Sequence, residues 1–227
     1  MKASSVNRQL IGVSLAILLF WSASPVQADY VDDPFTPVYQ PELRVTQTSG
    51  EIKIDGKLDD SGWLDAARAD NFAEHRPGDQ TKPPVETVAF ITYDEDKLYV
   101  SFTCYDDPAA IRASHAERER VFDDDNISLL LDTYGDAAWA YTMNVNPYGV
   151  QADALWSPNT GEDSGFDLIW ESAGAIPFAA LRFPNREQQT WKIDFYRNHP
   201  RETQRAYSWA AYDRNEQCWP CQWGTVT

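Results

Sequence analysis

Val85-Glu86-Thr87-Val88-Ala89-Phe90-Ile91-Thr92-Tyr93, Asp94-Glu95-Asp96 and Lys97-Leu98-Tyr99-Val100-Ser101-Phe102-Thr103-Cys104-Tyr105 together decide the fold class. Two runs rich in β-branched and aromatic residues flank a short acidic turn, which reads as a β-hairpin. In the second run Leu98, Val100, Phe102 and Cys104 share one face, and Lys97, Tyr99, Ser101, Thr103 and Tyr105 share the other. That period of two belongs to strands with one buried side.

Downstream, residues 126–132 read as a strand buried on both faces in its middle, and 139–146 alternates again. Residues 150–156, 166–171, 191–196 and 208–211 read as further strands, and Leu129 and Leu131 point to the interior with Leu98, Val100 and Phe102. Upstream, 43–48 and 51–55 read as two short strands. Residues 58–67 read as a helical turn capped by Asp59 or Asp60, with Leu58, Trp63, Leu64 and Ala67 on a buried side. The polar, proline-containing stretch 75–84 reads as a loop, 109–120 as a charged crossover that tolerates helix, and 157–165 as a second loop. About nine short strands with few helices predict an all-β, antiparallel, jelly-roll-like sandwich with one or two short helices. A parallel sheet would need repeated crossover helices, and the sequence supplies none of that length.

At the N-terminus Lys2 and Arg8 precede an apolar run from Leu10 to Trp21, and Val26-Gln27-Ala28 resembles a cleavage site. Residues 1–28 therefore read as a secretory signal peptide, 29–41 as an extended linker and 42–227 as the sandwich. The apolar run is short of the ~20 residues a membrane helix needs. With 19 basic and 35 acidic residues the net charge is −16, which argues against nucleic acid as a partner and against docking on anionic lipid. Nine tryptophans bring too much ring surface for a chain disordered throughout.

Cys104, Cys218 and Cys221 are disulfide candidates, and their odd number leaves one thiol over. The Cys-Trp-Pro-Cys spacing lacks the following helix that a redox dithiol wants. Asp123-Asp124-Asp125-Asn126 gathers hard oxygen ligands, so calcium is a candidate structural ion, with Asp124 and Asp125 as its ligands. Consecutive strand residues face opposite ways, which limits how many of these could share one ion. No Gly-x-Gly-x-x-Gly, Walker-type loop or Gly-x-Ser-x-Gly elbow is present, and no catalytic residue is assigned.

Six blocks in order carry a family resemblance: Ile52 to Trp63 with Ala66-Ala67, 88–107, 124–132, 144–153, 176–184, and Trp209 with Tyr212-Asp213-Arg214 through Gly224. Spanning about 50–225, the chain resembles the family 9 carbohydrate-binding-module-like domain at the N-terminus of exported bacterial proteins, which usually continue into an outer-membrane-barrel-like region. The resemblance implies a non-catalytic module for an oligosaccharide or polysaccharide, in the periplasm or at the outer membrane rather than extracellular, within a carbohydrate-catabolic system. It also implies that the chain is a fragment or early-ending version of a longer protein whose membrane barrel is a partner. A structural cap without a sugar ligand, or part of a glycoside hydrolase acting on O-glycosyl bonds, are the alternatives.

By the same resemblance, Phe122 and Trp219 match the two rings between which such modules hold a sugar. Asp106 matches a hydroxyl-accepting carboxylate, and Gln151 is a further hydroxyl partner. Two departures accompany these matches. Tyr141 and Thr142 lie near where sugar-binding relatives place an arginine, and neither supplies a guanidinium fork. The segment 170–174 runs almost directly into 175–178, where relatives usually carry another strand.

Overall fold

The computed structural model describes residues 34–172 and 175–227. The signal peptide expected over 1–28 and the first part of the linker lie outside the described residues. Thirteen strands form two sheets, with four short 3-10 turns and no α-helix among the described residues.

The larger sheet runs in the order β1 (Glu42–Leu43), β13 (Gly224–Val226), β11 (Trp191–Pro200), β6 (Asn126–Asp132), β7 (Ala140–Val145), β8 (Gln151–Ser157) and β9 (Gly161–Asp163). β12 (Gln204–Ser208) pairs with the later half of β11, and β3 (Ala73–Arg76) pairs with β12. The smaller sheet is β10 (Ala175–Pro177), β5 (Lys97–Cys104), β4 (Thr87–Tyr93) and β2 (Ala67–Ala69). All strand pairs are antiparallel except β1 with β13. The hairpin read from 85–105 is β4–β5, registered Tyr93 to Leu98 through Thr87 to Cys104.

Alternation builds the core between the sheets. Ile91, Leu98, Val100, Leu129, Leu131, Met143, Ile193 and Phe195 are buried there, with Phe102 partly buried against them. The even-numbered side chains of β6 face the other way. Leu130, with Ala140, Ala210, Tyr212 and Trp223, makes a second, smaller cluster on the outer face of the large sheet. The C-terminal segment thus covers part of that face. Gly224 is required by this packing, because a Cβ there would meet the Trp209 ring at 2.4 Å and the Pro41 carbonyl at 2.7 Å. The β6–β7 turn is organised by buried Asp132, whose carboxylate accepts from the amides of Tyr134, Gly135 and Ala137 at 3.0, 2.7 and 2.9 Å.

Several expectations are corrected. Residues 51–55 form no strand, and the turn at Ser61–Trp63 is 3-10 with no side-chain cap; Asp60 instead accepts from the Lys53 amide at 2.8 Å. Leu64 is 83% exposed, so it does not share a buried side with Trp63. β3 lies partly within the expected loop at 75–84, and 166–171 contributes only an isolated bridge at Glu171. Cys218 and Cys221 form the disulfide, and Cys104 is a free, exposed thiol.

Candidate functional site

A groove of about 390 Å³ opens on the outer face of the large sheet, beside the smaller apolar cluster. Its floor comes from strand positions facing away from the core: Asn126, Ser128 and Leu130 of β6, Asn144 of β7, and Tyr196 and Asn198 of β11. Phe122 and Trp219 line the groove from two loops far apart in sequence. Phe122 is 52% exposed, and Asn198 donates to its carbonyl at 3.1 Å. Trp219 sits inside the Cys218–Cys221 loop, with its ring edge-on to Trp156 at 5.9 Å and Trp223 at 5.1 Å.

Polar groups complete the lining. Ser128 donates to Asn144 at 2.6 Å, Asn144 donates to the Ala152 carbonyl at 3.2 Å, and Gln204 donates to Asn198 at 3.0 Å. The Arg76 guanidinium and the Glu162 carboxylate also line the groove, and neither side chain bonds to a described residue. His75 packs at 5.2 Å from both Tyr196 and Tyr212. Burial, then the charges of Arg76 and Arg214, lowers its pKa to about 4, so the ring is neutral at pH 7. Burial likewise raises Tyr196 to about 12 and keeps its hydroxyl protonated. The groove therefore combines ring faces, neutral hydroxyl and amide groups, one planar cation and one carboxylate.

Asp106 lies elsewhere. Its carboxylate is mostly buried and accepts from Arg197 at 2.7 Å, His199 at 2.8 Å and Arg201 at 2.5 Å. Burial alone would raise the carboxyl pKa; the His199 bond, the Asp107 amide and the charges of His199 and Arg201 outweigh it and hold it below the ordinary range. Gln151 is also absent from the groove. It accepts from Arg118 at 3.0 Å and donates to the Trp170 carbonyl at 3.0 Å, tying down the loop before β10.

The proposed calcium ligands are engaged separately. Asp124 accepts from the Ser114 amide and hydroxyl and from Asn146 at 3.0, 2.8 and 2.9 Å, and Asp125 from the Arg112 amide and from Arg201 at 2.7 Å each. Asp106, Asp125 and His199 have ligand atoms within 4.8 Å of one another. The trio does not fit calcium, which wants six to eight oxygen ligands, because Arg197 and Arg201 already supply the positive charge on these carboxylates.

A family model described as carbohydrate family 9 binding domain-like matches residues 54–227. The chain belongs to that family. No curated protein matches it. Three solved structures share its fold. One is a family 9 module from Caldicellulosiruptor kristjanssonii in complex with cellotriose, at TM-score 0.54 and 16% identity over 82% of this chain and 92% of that one. A module from the same organism in complex with glucose gives 0.51 and 16%, covering 81% and 94%. A Bacteroides uniformis protein gives 0.57 and 17%, covering 82% and 98%.

Arg76 and Glu162 escaped the sequence reading. β3 and β9 are short and polar, and nothing local shows that their pairing with β12 and β8 brings both to one groove.

Proposed function

We propose that the domain is a non-catalytic carbohydrate-binding module whose ligand lies in the outer-face groove. The observation that carries this reading is the meeting of Phe122 and Trp219, from separate loops, above a floor of neutral amides and hydroxyls. A pyranose offers apolar C–H faces to aromatic rings and hydroxyls to planar polar groups. Phe122 and Trp219 act as stacking surfaces. Arg76, Glu162 and Gln204 bond the hydroxyls, with Arg76 giving the two-pronged donor that Tyr141 and Thr142 cannot. Tyr141 is in the core, its hydroxyl accepting from the Arg182 amide at 2.8 Å. Membership of the family and the sugar complexes of the two Caldicellulosiruptor modules support the assignment. The leader-like residues 1–28 support export to the periplasm or outer membrane as part of the same proposal.

Titration calorimetry with cellotriose and glucose tests it. Hydroxyls exchange bonds to water for bonds to protein at small net gain, so dissociation constants of ~10 μM to 1 mM are expected. A folded protein that binds neither these nor any glycan on an array at millimolar concentration overturns the assignment and favours a purely structural domain.

A further inference from the structure

β5 is fully paired on one side and only partly on the other. β4 covers its whole length, whereas among the described residues β10 reaches only Lys97, Leu98 and Tyr99. The Asp94 amide bonds to the Lys97 carbonyl and the Tyr105 amide to the Glu86 carbonyl, so the odd-numbered residues direct their main-chain groups toward β4. Val100, Phe102 and Cys104 therefore direct theirs to the opposite edge, where no described residue pairs with them.

A cavity of about 390 Å³ follows that edge and has walls on both faces of the small sheet. Ile127, Met143 and Val145 of the large sheet form one wall, and Leu58 and Trp63 form the other. Three buried side-chain atoms without a hydrogen-bond partner belong to residues lining it: Trp63 Nε1, Ser101 Oγ and Trp170 Nε1. Lys53 and Lys57 stand at its rim, both exposed, on a chain of net charge −16.

We propose that this lane is a peptide-binding site, which takes an extended segment, apolar along its middle and acidic at a flank, as an added strand on β5. The form of the occupant follows from these main-chain groups. Alternate N–H and C=O groups at strand spacing, without a partner among the described residues, are matched by another strand, not by a compact small molecule. Apolar walls on both faces call for apolar side chains on both sides of the incoming strand. The indole N–H groups are donors for its carbonyls, and the lysines select its acidic flank. Pairing from Val100 to Cys104 occupies about 17 Å of strand. A second copy of the domain is disfavoured, since it would bring its own lysines to the same rim.

The probe is a fluorescein-labelled peptide of two aspartates followed by alternating valines and isoleucines, titrated into the full chain by fluorescence anisotropy. Saturable binding is expected, with slower maleimide labelling of Cys104. N-methylation of alternate amides should weaken binding about tenfold or more, as two or three hydrogen bonds are lost. Reversing both rim charges, Lys53→Glu with Lys57→Glu, should weaken it severalfold while leaving the fold intact, because both side chains are exposed. Absence of binding, or equal binding of the N-methylated peptide, overturns the proposal. So does a dimer by sedimentation whose Cys104 is protected without peptide, because the lane would then belong to a second copy.

Discussion

β11 carries opposite chemistry on its two faces. Tyr196 and Asn198 look outward into the groove, whereas Arg197 and His199 are buried and converge on Asp106. The buried side is saturated. Asp106 accepts from three cationic or histidine side chains, Arg197 also donates to Thr87 Oγ1 at 3.2 Å, and His199 Nδ1 meets the Tyr207 hydroxyl at 2.7 Å. The outer side holds milder residues but keeps free capacity in Arg76, Glu162 and Gln204. A cluster of Asp, Arg and His looks more like a site than a row of amides does. What marks the proposed site here is bonding capacity left over after folding.

Removing Asp106 is the most severe way to test that contrast. Asp106→Ala leaves Arg197, with its side chain 4% exposed, without its carboxylate and should cost about 3–5 kcal/mol in denaturant unfolding. Carbohydrate affinity of the remaining folded protein should not change; a loss of affinity with the fold retained would put Asp106 back in the site.

Acidification separates groups by sign. His75 is depressed from 6.5 to about 4, so the unfolded chain takes its proton first. Its contribution is fully present above pH 6.5 and is lost as pH falls toward 4, about 3 kcal/mol in total. His199, lowered by burial and then by Arg197 and Arg201, acts in the same direction. Asp194 acts oppositely: burial raises it from 3.8 to about 7, so the folded state gains stability as pH falls through that window. The wild-type profile should accordingly be shallow between pH 7 and 4. In urea titrations His75→Asn should become more stable on acidification relative to wild type, and a pH-independent difference between the two proteins would refute the His75 assignment.

Smaller effects belong to the groove. Trp219→Ala should weaken cellotriose binding roughly tenfold, about 1.4 kcal/mol, by calorimetry. Binding that survives unchanged would move the ligand away from this wall. Least of all, Gln151→Ala should cost about 0.5–1.5 kcal/mol of stability through its bonds to Arg118 and Trp170, and nothing in sugar affinity.

Long alternating segments were the legible part of this fold. β4, β5 and β7 follow from their period of two, and β6 from an apolar run buried on both faces in its middle. β2, β3, β9 and β13 are three or four residues long and owe their existence to neighbours, so no local pattern announces them. The site divides in the same way. Phe122 and Trp219 emerged from the family pattern and share one groove. Arg76 and Glu162 depend on strand pairing that no window of sequence contains. Asp106 was misleading because its bonding is decided by Arg197, His199 and Arg201, over ninety residues downstream.

The Cys218–Cys221 bridge makes the groove wall conditional on its surroundings. Trp219 is held inside a loop that closes over only two intervening residues, with Pro220 restricting the main chain beside it. Once the thiols are oxidised, a ligand need not order that loop, and the entropic cost of holding the ring has been met before any encounter. In a reducing compartment the same sequence would offer a more mobile Trp219, and each binding event would have to bring it to rest. In any oxidising compartment, where such bridges persist, closing this one is thus a maturation step for the surface.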